Sequence, residues 1–217
     1  LDLADVSGDK RADAIGRGPA GDTQVGLSTT SSKFATPTTW SSAYSLDLAD
    51  VSGDGKADAL GMNSSTDIQA GWSSGTGFMA PTSWATWPNG YSVDFADVSG
   101  DAKADALGMN SSGDIKVAWS NGSSGFLAPT SWATWPSGYS LDFGDTNGDG
   151  KADAVGVNSA GDVKVGLSTG SVFAAAASWA TWPSGYSLEL ADVNGDTKAD
   201  LFGKNSAGEV KVALSVE

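Results

Sequence analysis

Five times along the chain the same acidic spacing recurs, Asp-x-Ser/Asn-Gly-Asp-x-Lys/Arg-Ala-Asp. Side-chain oxygens at positions 1, 3, 5 and 9, with a backbone carbonyl at position 7, form the kind of donor set that a hard cation takes. Calcium wants six to eight oxygens at about 2.3–2.6 Å, and the opening of an EF-hand loop supplies them with this spacing. The first set is Asp5, Ser7, Asp9, Arg11 and Asp13, with Arg11 acting through its carbonyl. The second is Asp50, Ser52, Asp54, Lys56 and Asp58, and the third is Asp97, Ser99, Asp101, Lys103 and Asp105. The fourth is Asp145, Asn147, Asp149, Lys151 and Asp153, and the fifth is Asp192, Asn194, Asp196, Lys198 and Asp200. The expectation is one Ca²⁺ per loop. Solvated Asx turns are the rival reading, since Asp, Asn and Gly favour turns in any case. Five copies of one ligand spacing argue against it.

The loop departs from a full EF-hand. Position 12, where the bidentate Glu would stand, is Gly16, Gly61, Gly108, Gly156 and Gly203, and the residues after position 9 read as strand. The loop therefore joins two strands. Position 6 is Gly55 and Gly150 in copies two and four, but Lys10, Ala102 and Thr197 elsewhere. A side chain there resists the turn that Gly allows, so loops two and four are the most secure metal sites. Repetition in every copy favours a structural role for the metal over a catalytic one.

A second constellation is aromatic. Seven of the nine tryptophans lie in the segments that close the copies. SWATWPNGYS holds Trp84, Trp87 and Tyr91, and SWATWPSGYS holds first Trp132, Trp135 and Tyr139 and then Trp179, Trp182 and Tyr186. Copy one keeps only Trp40 and Tyr44. Large aromatics can fill a wedge between packed sheets. Their flat faces can also stack on the apolar face of a sugar ring, with Asn, Ser and backbone groups bonding its hydroxyls. The residues leave both readings open, and one Trp of a pair can be buried while the other is exposed.

Both constellations sit in a repeat. LDLADVSGDKRADAIG returns from Leu46, Val93, Leu141 and Leu188, and each copy continues with a block such as IKVAWS or VKVALS. The copies span 1–45, 46–92, 93–140, 141–187 and 188–217, and the fifth lacks the Phe-led closing block. Within a copy the apolar period is two. Strands are expected at Leu46–Ala49, Ala57–Met62, Asp67–Trp72 and Phe78–Trp84, the last an edge strand because of Pro81. A four-stranded unit repeating at about 40–50 residues is the signature of a propeller blade, whereas solenoid repeats are usually shorter. The expected fold is all-β, a single β-propeller domain over residues 1–217 with five four-stranded antiparallel blades, the last three-stranded. Another copy of the chain could complete that last blade, which would make a homo-oligomer.

Composition removes several function classes. Without Cys or His there is no disulfide framework, thiol nucleophile, zinc finger or Ser-His-Asp triad. A formal charge of −14 argues against nucleic acid and anionic membranes as partners. No apolar run reaches the roughly 18–20 residues of a membrane span. The chain opens without Met and shows no signal peptide, and reads as a processed or trimmed sequence. Fifteen of the 26 acids are loop aspartates, and the other 11 nearly balance the 12 bases. Three carboxylates converging in one turn would repel without a cation.

On the acidic loop after a short apolar strand, with a Gly-containing strand following it, the chain resembles the FG-GAP or VCBS repeat family. That family is known from integrin α-subunit propellers and from many secreted bacterial and fungal proteins. The resemblance spans all five copies and implies one Ca²⁺ per loop and an extracellular location. Some fungal propeller lectins of this kind hold sugars between blades, which implies glycans as partners and the Trp-x-x-Trp-Pro-x-Gly-Tyr segments as ligand sites. The expected function is a non-catalytic, multivalent carbohydrate-binding propeller with structural calcium. A protein-binding adhesion or scaffold propeller, possibly part of a larger one, is the alternative. An enzyme would need a unique acid–base constellation, and no copy shows one.

Overall fold

A computed structural model describes residues 2–18, 22–29, 38–41 and 45–216, with residues 38–41 described by their backbone alone. Leu1, Tyr44, Glu217 and the side chain of Trp40 lie outside the described residues. The fold is an all-β propeller of five blades, four of them four-stranded and the last three-stranded. No helix occurs among the described residues.

Blade one holds β1 (Asp2–Ala4), β2 (Asp13–Arg17), β3 (Asp22–Gly26) and β4 (Thr38–Ser41). Blade two holds β5 (Asp47–Ala49), β6 (Asp58–Met62), β7 (Asp67–Gly71) and β8 (Thr82–Thr86). Blade three holds β9 (Tyr91–Ala96), β10 (Asp105–Asn110), β11 (Asp114–Ala118) and β12 (Thr130–Thr134). Blade four holds β13 (Tyr139–Gly144), β14 (Asp153–Asn158), β15 (Asp162–Gly166) and β16 (Ala177–Thr181), and blade five holds β17 (Tyr186–Ala191), β18 (Asp200–Asn205) and β19 (Val210–Ala213). Each sheet follows chain order. Short turns such as Asn110–Gly113 permit this, because Gly113 takes φ 84° where a side chain would strain.

The fourth strand departs from expectation. It runs over Thr82–Thr86 instead of Phe78–Trp84, and Phe78 lies outside the strand, in an isolated bridge with Ser73. Pro81 has no N–H to give a ladder, and the strand starts just beyond it. A register shift follows between Ile68 and Gln69 on the partner strand.

The chain forms two compact units. One comprises Leu1–Phe95, Lys103–Ala106 and Ala118–Pro129, and the other comprises Ala96–Ala102, Leu107–Val117 and Thr130–Glu217. In the first unit, Ile68, Ala70, Trp84, Trp87, Ala106 and Phe126 form one buried cluster, and Val6, Ile15 and Val25 form a smaller one. In the second, Ile115, Val117, Trp132, Trp135, Ala154 and Phe173 form one cluster, and Val155, Val163, Val165, Trp182 and Leu201 form another.

Polar bonds repeat from blade to blade. The position-8 amide of one loop donates to the position-1 carbonyl of the loop before: Ala57 to Asp5, Ala104 to Asp50 and Ala152 to Asp97 at 2.7 Å, and Ala199 to Asp145 at 2.6 Å. A serine after the third strand adds a second bond. Ser120 Oγ donates to the Val51 carbonyl at 2.7 Å, and Ser168 Oγ to the Val98 carbonyl at 2.6 Å. This serine stands in every copy, as Ser28, Ser73, Ser120, Ser168 and Ser215, and that invariance is the signal sequence reasoning passed over.

Candidate functional site

Each acidic loop is built around its first aspartate. Asp5 Oδ1 accepts the amides of Gly8 (2.6 Å) and Asp9 (3.2 Å), and Oδ2 accepts that of Lys10 (2.7 Å). Asp50, Asp97, Asp145 and Asp192 do the same. This turn requires positive φ at positions 4 and 6. Gly55 and Gly150 meet that freely at 83° and 81°, whereas Lys10, Ala102 and Thr197 adopt it at 65°, 64° and 73°. The loop closes in every copy, and its strain is confined to those three residues.

Position 3 reaches toward position 1: Ser52 Oγ lies 3.1 Å and Ser99 Oγ 3.2 Å from the first carboxylate. At position 5 the acid meets the base at position 7. Asp9 pairs with Arg11, Asp54 with Lys56, and Asp149 with Lys151 at 3.1 Å. Arg11 holds the Asp9 carboxyl below its usual value. Around Asp54 burial works upward, but the Lys56 ammonium and amide outweigh it, and that carboxyl too lies low.

The position-9 acids stand apart. Asp13, Asp58, Asp105, Asp153 and Asp200 are all buried. Asp13 Oδ2 accepts the amides of Val6 and Ser7, both at 3.0 Å, and Oδ1 accepts that of Ser28 at 2.7 Å. Asp153 accepts the Thr146 amide and hydroxyl and the Ser168 amide. These carboxylates tie the loop to the third strand from below. Burial raises Asp58 to about 6, against the lowering effect of the Ser73 and Val51 amides, and it raises Asp153 as well. Among the described residues no three acids gather as a metal-holding group. The donors that suit a hard cation are thus those of positions 1 and 3, mostly half-buried, and of position 5, exposed, with position 9 buried beneath them.

Position 12 has a packing reason to be Gly. A Cβ on Gly156 would lie 2.6 Å from Trp135 Nε1, and one on Gly203 would lie 3.0 Å from Trp182 Nε1 and 2.6 Å from Leu188 Cδ2. The bidentate Glu of an EF-hand has no room there.

The nine aromatic ligand candidates divide. Trp84, Trp87, Trp132, Trp135 and Trp182 are buried, whereas Trp179 is 38% exposed. Phe126 covers Trp84 edge-on at 5.3 Å, and Phe173 covers Trp132 at 5.4 Å. The indole nitrogens of Trp87, Trp135 and Trp182 are buried without a hydrogen-bond partner. Tyr91, Tyr139 and Tyr186 are half-buried, packed against the clusters that hold these tryptophans. Trp182 and Tyr186 meet at 6.4 Å, beside a pocket of about 120 Å³ that Asn158, Ser159 and Ser184 also line.

Trp179 stands away from that pair, in a groove of about 540 Å³ within the second unit. Thr146, Asn147 and Gly148 of the fourth loop, Thr197 and Lys198 of the fifth, and Val165, Leu167, Ala177 and Val216 complete its lining. An exposed indole with an amide, a hydroxyl and an ammonium on its rim can stack on a flat apolar face and bond polar groups around it. Thr146, Thr197 and Leu167 were not among the residues singled out for ligand binding, because no spacing rule brings residues as far apart as Thr146 and Thr197 into one groove.

An FG-GAP-like repeat family matches residues 145–203. That segment runs from the first aspartate of the fourth acidic loop to the position-12 Gly of the fifth, so the FG-GAP-like match contains both loops that floor the groove. The chain resembles FG-GAP-type propellers, and it resembles lectins of known structure. A lectin from Agrocybe aegerita that recognises non-reducing terminal N-acetylglucosamine is 24% identical over 99% of this chain and 62% of its own, with a TM-score of 0.76. The BP39L lectin from Burkholderia pseudomallei is 15% identical over 99% of this chain and 66% of its own, with a TM-score of 0.65. This chain spans about three fifths to two thirds of those lectins. None of the curated proteins matches it.

Proposed function

We propose that this chain is an extracellular, non-catalytic carbohydrate-binding propeller whose acidic loops hold calcium. The observation that carries the reading is Trp179, an exposed indole in a groove rimmed by Asn147, Thr197 and Lys198. The corresponding Trp84 and Trp132 are covered by Phe126 and Phe173, so stacking on a sugar is assigned to the Trp179 groove first. The two lectin folds support a glycan as ligand, and the sugar recognised by the Agrocybe protein is the first probe to try.

Calcium belongs to the same proposal. Its donors are the oxygens of positions 1, 3 and 5, with the position-7 carbonyl, and the ion relieves the repulsion of adjacent acids that lysine and arginine now screen. Because Asn147 is a position-3 donor and also lines the groove, metal and glycan binding are coupled in this reading.

The test is a glycan array with wild type and Trp179→Ala, each with and without chelator. Binding lost on Trp179→Ala, and weakened by EDTA, supports the reading, and unchanged glycan binding by the variant would sink it. A protein-binding role is favoured by one separate observation: Trp72, Met79, Trp119 and Leu127 of the first unit are all exposed. An empty array with Trp72→Ser abolishing capture of a cell-surface protein would select that role instead.

A further inference from the structure

Between blades four and five, within the second unit, lies an apolar cavity of about 210 Å³. Val155, Val157 and Val163 of blade four form one wall, and Leu188, Leu190 and Leu201 of blade five form the other. Val155, Val163 and Leu201 are at most 4% exposed. Ser140 and Glu189, both exposed, mark the mouth, with half-buried Asp142 beside them.

The repeat explains the space. Where copy four has Val155, Val157 and Val163, copy two has Leu60, Met62 and Ile68, and copy three has Leu107, Met109 and Ile115. Those longer side chains share their clusters with Phe95 and Phe143 respectively, whose place in copy five is taken by Leu190. Each of these four replacements removes volume. Leu201 alone gives some back, since it stands where Ala106 and Ala154 do. Protein interiors are close-packed and keep few voids larger than a water molecule. A cavity of this size, left by four concerted replacements at one junction, points to an occupant.

We propose that this cavity binds a small aryl or branched-alkyl ammonium, its apolar body between the two walls and its charged head at Asp142 and Glu189. Size selects the body. An apolar cavity of about 150 Å³ admits benzene, so this one holds such a ring with a short alkyl arm. Charge selects the head. Among the described residues that line the cavity there are two carboxylates and no base, and the formal charge of −14 favours a cation as well. The site shares no lining residue with the Trp179 groove, so it stands apart from the glycan reading.

Methyl NMR during titration with benzylammonium, benzyl alcohol and benzoate tests this. Benzylammonium should shift the methyl resonances of Val155, Val163 and Leu201 saturably. Benzyl alcohol should bind up to about fivefold more weakly, and benzoate more weakly still. Asp142→Asn should narrow the gap between benzylammonium and benzyl alcohol. Val155→Leu, Val157→Met and Val163→Ile together install the copy-three residues and fill the cavity, so the folded triple variant should show no shift at Leu201. Should the triple variant fail to fold, Val163→Ile alone should weaken binding. Methyl resonances unmoved by benzylammonium overturn the proposal, as do shifts that survive in the filled variant. Benzoate binding as tightly as benzylammonium overturns it too, because the carboxylates would then select nothing.

Discussion

The indole nitrogen of Trp135 lies 2.6 Å from where a Cβ on Gly156 would stand. The last turn of blade three is thereby locked against the second strand of blade four, and position 12 of the acidic loop is held to Gly by packing. Gly156→Ala forces the buried ring to move and is expected to cost about 1–3 kcal/mol, read as a lower denaturation midpoint at unchanged slope. Stability equal to wild type would mean that the ring has room to yield.

Strain at position 6 yields a stabilising series. Lys10, Ala102 and Thr197 hold positive φ in loops where Gly55 and Gly150 do so freely. Lys10→Gly, Ala102→Gly and Thr197→Gly should each raise stability by about 0.5–1 kcal/mol in calcium-free buffer, with β-branched Thr197 gaining most. Thermal melts in EDTA decide it, and a uniform loss of stability would show that these side chains repay their strain.

Asp58 supplies a pH signature. Burial raises its folded pKa to about 6 from 3.8, so the folded state holds a proton that the unfolded chain has released. Its stabilising contribution is present below the unfolded value and is lost as pH rises through roughly 4 to 6. Asp58→Asn removes that titration. Between pH 4 and 7 in EDTA the stability difference should move in favour of the variant by about 2 kcal/mol. Parallel pH profiles for the two proteins would refute the assignment.

The two kinds of tryptophan should respond oppositely to truncation. Trp135, 2% exposed, is expected to cost about 3–5 kcal/mol on replacement by Ala, whereas Trp179 should cost under about 1 kcal/mol. Urea titrations measure both, and similar losses at the two sites would mean that Trp179 packs as its counterparts do.

The blades were legible because the apolar period, the turn residues and the repeat length all point the same way. Strand bounds followed to within a few residues, apart from the fourth strand, where Pro81 displaces the ladder toward Thr86. The exposure of each indole was not legible. Trp84 is covered by Phe126, 42 positions later, and near-identical SWATW segments differ only through what the following copy lays upon them. Nor does ligand spacing reveal that Asp13 and its equivalents turn under the loop to meet backbone amides, since an inward-facing acid reads alike for a metal or for an N–H.

The central claim, that Trp179 is a sugar platform, is met most directly by the tryptophan indole N–H resonances during titration with the glycan that scores highest on the array. The expected result is a saturable shift of the Trp179 resonance, with those of buried Trp87, Trp135 and Trp182 unmoved and the response weakened in EDTA. A stationary Trp179 resonance at glycan concentrations that saturate the protein would contradict it.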